Sequence, residues 1–271
     1  MGITGVPGSG KSTLLARLAK AIRASGRKVA IVAIDPSSPF SGGAILGDRI
    51  RMGELGGDPG VFVRSMATRG SLGGLAHGTL EAVDILDAGG FDIVFIETVG
   101  VGQDEVEVAR AAHTTVVVSP PGLGDDIQAI KAGILEIADV HVISKCDKPD
   151  ADRAIADLKN MLALGLKAGH AAWHPPVIAT SSVRDEGIDK LAAAIDLHYM
   201  TLVASGGLDK RRASINERRL LKASEEILRD RFVRHRDGRV SALLDALAQR
   251  TMSPHSAALR LLAEPPSGDS T

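Results

Sequence analysis

The densest chemistry in the chain lies in its first dozen residues. Positions 5–12 read GVPGSGKS, which fits G-x-x-x-x-G-K-[ST]. Gly5, Gly8 and Gly10 let backbone N–H groups turn inward around an anion, with Val6, Pro7 and Ser9 between them. Lys11 adds a point charge for β- and γ-phosphates, and Ser12 offers a hydroxyl to Mg²⁺. Thr13 belongs to the same cradle, at the start of a helix whose positive end faces the anion. Two acids complement this loop. Glu97 closes the apolar run 91–97 and Asp35 closes 28–35, where each can hold Mg²⁺ through water. Gly100, three residues after Glu97, offers an N–H to a γ-phosphate, and Asp48 sits in a loop able to carry it to the site. Lys11, Asp48, Glu97 and Gly100 are therefore the candidate catalytic residues, and Ser12, Asp35 and Glu97 the candidate metal ligands.

A further motif addresses the base. Residues 144–147 read SKCD, placed after a strand where guanine-binding loops carry Asn-Lys-x-Asp. The Asp147 carboxylate accepts from the N–H groups of guanine, whereas adenine presents an acceptor there. The Lys145 stem packs along the base, and Ser144 stands in place of Asn with one amide arm fewer. Ser181 and Ser182, at the end of the last strand, are placed for backbone N–H contact with the guanine carbonyl. GTP or GDP with Mg²⁺ is the expected ligand.

These residues need a scaffold that brings strand ends together. The apolar runs 28–35, 61–66, 91–97, 114–119, 139–144 and 176–180 read as strands, several buried on both faces. Helical periodicity falls between them, near 45–53, 72–88, 104–112, 127–137, 150–164 and 187–202. Such alternation predicts a doubly wound, mostly parallel α/β sheet of the P-loop NTPase kind, with ligands at the carboxyl ends of the strands. After 206–207 the strand pattern stops, and helix formers predominate to 262. We therefore expect a P-loop GTPase domain over 1–205, a helical arm over 206–264 and a disordered tail over 265–271.

Composition narrows the classes. The 271 residues carry a formal net charge of −1, with one Trp, one Tyr and five Phe, which leaves neither a basic field nor stacking platforms for nucleic acid. Cys146 is the only cysteine, so disulfides within the chain are excluded and a cytoplasmic location is expected. No apolar run approaches the roughly 18 residues of a membrane span.

Three stretches are more specific than a phosphate loop: DPSSPFSGGAILGDRIRM over 35–52, ETVGVGQDE over 97–105 and PGLGDDIQAIK over 121–131. They resemble the MeaB/ArgK family, P-loop GTPases of the SIMIBI class associated with methylmalonyl-CoA mutase. The resemblance implies a homodimer, joined through the helical arm, that gates adenosylcobalamin delivery to the mutase and protects it. It also implies switch segments at 35–52, 98–105 and 120–131. Two alternatives stand beside it. A metal-insertion GTPase of the same class needs His/Cys ligands, and here the eight histidines do not cluster. A P-loop small-molecule kinase needs an acceptor pocket with a base beside the γ-phosphate, and a partition-type ATPase needs an extra lysine near the start of the loop, where Val6 stands.

Overall fold

The computed structural model describes residues 1–35, 52–67, 77–98, 104–122, 136–165, 173–234 and 238–263. Among these, seven strands form one all-parallel sheet: β1 (Gly2–Thr4), β2 (Val29–Asp35), β3 (Val61–Ala67), β4 (Ile93–Thr98), β5 (Thr115–Ser119), β6 (Val140–Ile143) and β7 (Val177–Ala179). The spatial order is β3-β2-β4-β1-β5-β6-β7. Eight α-helices are described: α1 (Lys11–Ala24), α2 (His77–Ala88), α3 (Asp104–Ala111), α4 (Ala151–Gly165), α5 (Ile188–Ala204), α6 (Gly207–Arg234), α7 (Gly238–Ala248) and α8 (Pro254–Ala263). The chain divides into two compact units, Met1–Ile215 and Asn216–Thr271.

The strand sequences explain the winding. Successive side chains point to opposite faces, so a strand covered on both sides must be apolar throughout. In β2, Val29 and Ile31 join a core with Leu14, Leu18 and Ile22 of α1 and Leu191 and Ile195 of α5. Ala30, Val32 and Ile34 face the other way, toward Leu86 and Val83 of α2 and Val108 of α3. Val117 of β5 and Ile143 of β6 pack on Ala154 and Leu158 of α4. The helices thus lie on both faces, as the alternation of the sequence predicts. β3 is an outer strand, and its side chains are only half buried or exposed.

Some expected elements fall outside the described residues: most of 45–53, the start of 72–88, nearly all of 127–137, and the tail after 263. Within reach of the first, Gly53–Leu55 forms a single 3₁₀ turn. The second unit holds the C-terminal part of α6 with α7 and α8, among which Val240 and Ala257 are buried. No single helix among the described residues is long and apolar enough to cross a membrane.

The rim opposite the loop, at the amino ends of the strands, is clasped by Asp139. Its carboxylate accepts from Thr115 N at 2.8 Å and from both terminal nitrogens of Arg211 at 3.0 Å, and lies 3.4 Å from Nε2 of buried His198. The neighbouring His141 of β6 is 1% exposed, and neither ring nitrogen has a hydrogen-bond partner among the described residues. Burial pushes its pKa down from 6.5 to about 4, with Asp139 opposing. The folded chain therefore keeps His141 neutral while the unfolded chain takes up a proton below pH 6.5. Its contribution is present above that pH and declines through the interval from 6.5 to about 4, by up to about 3 kcal/mol. His141→Leu is expected to flatten the acid side of the stability curve, which denaturant melts at pH 7.5 and 4.5 would check.

Candidate functional site

The phosphate loop begins where β1 ends. Gly5 passes so close to β5 that an added Cβ would lie 2.0 Å from the Val118 carbonyl oxygen, and its φ of 143° is itself foreign to other residues. Gly10 caps α1 in the left-handed region, at φ 86° and ψ 22°, without a side-chain bond. The first turn of α1 contains no acid, so nothing within the turn neutralises the positive end of the helix. The Lys11 ammonium folds back over the loop, donating to the carbonyls of Gly5 at 2.7 Å and Val6 at 3.1 Å. Val6 packs against the Val117 cluster, Ser9 is fully buried, and Pro7, Gly8 and Thr13 are exposed.

Strand order supplies the acid. Because β4 adjoins β1, Ile3 pairs with Glu97 and the carboxylate arrives beside the first turn of α1. The Ser12 hydroxyl donates to Oε1 of Glu97 at 2.7 Å, with Ser12 6% and Glu97 1% exposed. One step further along, the hydroxyls of Thr4 and Thr98 meet at 3.1 Å. A hydroxyl and one carboxylate, both hard oxygen donors, fit Mg²⁺, which takes few protein ligands and completes its shell with water and phosphate. Asp35 ends the neighbouring strand β2, one residue past the Ile34–Thr98 pair, but its side chain lies outside the described part. Asp48 and Gly100 also lie outside the described residues. Among those that are described, no three His, Cys, Asp or Glu residues gather as a metal cluster.

The base loop is bonded to the phosphate loop at two points. Lys145 adopts φ 52°, a conformation rare outside glycine, and its ammonium donates to the Gly8 carbonyl at 2.8 Å. The Ser144 hydroxyl donates to the Ser9 carbonyl at 2.6 Å. Asp147 is fixed by the Ser181 hydroxyl, which donates to Oδ1 at 2.7 Å. That bond, with lesser backbone help, holds the Asp147 carboxyl below its usual pKa and keeps it an acceptor. Ser181 is pinned in turn by a two-way backbone bridge with Glu186, so its N–H is already given away, while Ser182 is half buried beyond it. Cys146 lies 3.8 Å from a Glu186 oxygen, and burial together with that carboxylate raises its pKa, which suits a packed thiol.

The sequence pattern did not indicate the Ser144–Ser9 and Ser181–Asp147 bonds, since they join residues 135 and 34 positions apart. It also did not indicate Arg17, which lies 4.0 Å from Glu54 and 3.8 Å from Asp185 and so bridges the 3₁₀ turn and the base-loop hairpin.

Phosphate loop, buried acid and base loop meet on one rim of a parallel sheet because three strand ends converge there, and that convergence defines the class: a P-loop GTPase. The family described as "Methylmalonyl Co-A mutase-associated GTPase MeaB" matches over residues 1–237, and the chain belongs to it. Similar relatives include a putative GTPase of Pyrococcus abyssi, 48% identical over 268 residues that cover 97% of this chain and 82% of the relative. GTPase ArgK of Escherichia coli is 38% identical over 269 residues, covering 97% and 81%. Among solved structures, a LAO/AO transport system kinase superposes with a TM-score of 0.70 at 30% identity, covering 97% of this chain and 79% of that one.

Proposed function

We propose that this GTPase binds GTP and Mg²⁺ at the rim just described and serves as a chaperone of methylmalonyl-CoA mutase, gating adenosylcobalamin loading and protecting the mutase. The two hydrogen bonds between base loop and phosphate loop, Ser144 to Ser9 and Lys145 to Gly8, carry the nucleotide part. The description of the family supports the partner. A cytoplasmic location, without membrane or nucleic-acid partners, goes with this reading.

In this mechanism Lys11 and the amino end of α1 offset phosphate charge as it shifts toward the leaving oxygen. Ser12 and Glu97 would hold Mg²⁺, which would supply neutralisation of the phosphate charge. Asp147 sets the base and so the position of the phosphates. Intrinsic turnover should be slow, about 10⁻⁴ to 10⁻² per second in the absence of a supplied arginine. Glu97→Ala should therefore lower Mg²⁺-dependent turnover much more than nucleotide affinity. Steady-state phosphate release beside a GDP titration checks this, and equal losses would remove Glu97 from the metal site.

Regulation is assigned to the segment 120–131, whose root is described: Pro120 to Gly122, with Gly122 at φ 82°. GTP turnover with and without methylmalonyl-CoA mutase tests the partner. Stimulation in the wild type that is lost in Asp125→Ala, Gln128→Ala and Lys131→Ala, with basal turnover intact, supports the assignment. Absence of stimulation in the wild type would remove the partner.

The arm supports a homodimeric assembly. Within α6, Leu220, Leu221, Ile227 and Leu228 are 71, 59, 54 and 43% exposed in the single chain and share one side of the helix, an apolar surface that a second copy would cover. A homodimer is expected in sedimentation at micromolar concentration, and a monomer with or without nucleotide would contradict it.

A further inference from the structure

The polar groups over the phosphate loop divide their work, and proton counting shows how. A serine hydroxyl has one proton to give. Ser144 is 4% exposed, and its Oγ stands 2.6 Å from the Ser9 carbonyl oxygen and 3.3 Å from that of Ser119. The single hydroxyl proton goes to the shorter contact, the Ser9 carbonyl, while the Ser119 oxygen is served by the Ser144 N–H at 2.9 Å. Ser144 then has only lone pairs left. The guanine edge away from Asp147 carries N7 and O6, both acceptors. Lone pairs facing acceptors form no bond.

The same count applies to Ser181. Its N–H goes to the Glu186 carbonyl at 3.0 Å, and its hydroxyl goes to Asp147. The next N–H along the chain, that of Ser182, has no backbone acceptor among the described residues. We infer that recognition in this chain is split: Ser144 is a positioning residue that clamps the phosphate loop through Ser9 and does not read the base, which is left to Asp147 and the Ser182 N–H. This rests on the nucleotide site proposed above. It also separates the serine from an asparagine, whose amide holds a second proton for a second acceptor.

Calorimetric titration of wild type, Ser144→Ala and Ser144→Thr with GDP, 7-deaza-GDP and pyrophosphate tests the split. Ser144→Ala should weaken all three ligands by one common factor, about tenfold for a lost buried hydrogen bond. Ser144→Thr, which keeps the hydroxyl, should restore most of the affinity, and melting of the ligand-free variants shows whether they are folded. A loss confined to GDP, absent for 7-deaza-GDP, would mean that Ser144 reads N7 and would overturn the inference. An unchanged pyrophosphate affinity in a folded Ser144→Ala would overturn the clamp. Asp147→Asn, titrated alongside, should lose GDP and keep pyrophosphate. If it keeps both, the guanine reading fails, while the pyrophosphate result for Ser144 still decides the clamp.

Discussion

Replacing Asp147 with asparagine is expected to abolish the preference for guanine while leaving the fold intact. The carboxylate accepts only, and Ser181 occupies one of its oxygens at 2.7 Å, which fixes the other in direction. Guanine offers N–H donors to such a group. An asparagine in the same place turns an NH₂ toward those donors on one side, so a donor meets a donor. A site built on paired donors and acceptors loses up to roughly 10⁴-fold when the pairing is broken. Xanthine nucleotides, with a carbonyl at C2 in place of the amino group, should bind the variant better than guanine nucleotides do. Competition titrations with GDP, XDP and ADP would measure both effects. A variant that still prefers GDP would remove Asp147 from base recognition. The depressed pKa of the carboxyl adds a pH sign: recognition should hold across neutral pH and weaken only well into acid, as the group becomes protonated.

Lys11→Ala carries the second large effect. Lys11 is 6% exposed, and its ammonium lies across the loop it serves. Lys145 also reaches the loop, its ammonium 2.8 Å from the Gly8 carbonyl, but Lys11 is the cation within the first turn of α1 itself. Removing a preorganised charge from a water-poor site costs about 10²–10³-fold in turnover. GTP should lose more affinity than GDP, because the lysine is aimed at the outer phosphates. Lys11→Arg should not rescue, since a planar guanidinium does not replace a compact point charge in a tight loop. Turnover within threefold of wild type in folded Lys11→Ala would contradict the assignment.

The scaffold was legible where one physical rule acts alone. Residues 28–35 read as a buried parallel strand because a near-continuous apolar run suits cover on both faces, and β2 has both. Gly5 and Gly10 were legible for a similar reason, since a cradle of inward N–H groups needs backbone angles that other residues avoid. Glu97 was legible as a strand-end acid sharing a metal with Ser12, but the direct hydrogen bond between the two was not. Its approach to Ser12 depends on β4 lying next to β1, a matter of strand order rather than local pattern. The Ser144 bond to Ser9 was hidden for the same reason. From the sequence Ser144 is a shortened asparagine, and only the packing of two loops shows where its proton goes. The clasp of Asp139, His198 and Arg211 joins a strand entry to two later helices, and no spacing rule connects them.

The account stands or falls on where the γ-phosphate goes. Multiple-turnover incubation of the full chain with γ-labelled GTP, with ATP in parallel, would follow label into free phosphate and into any acceptor, with and without methylmalonyl-CoA mutase. The account predicts one free phosphate per GTP consumed, negligible turnover of ATP, and faster release when the mutase is present. Label transferred to an acceptor molecule, or ATP consumed as readily as GTP, would contradict it.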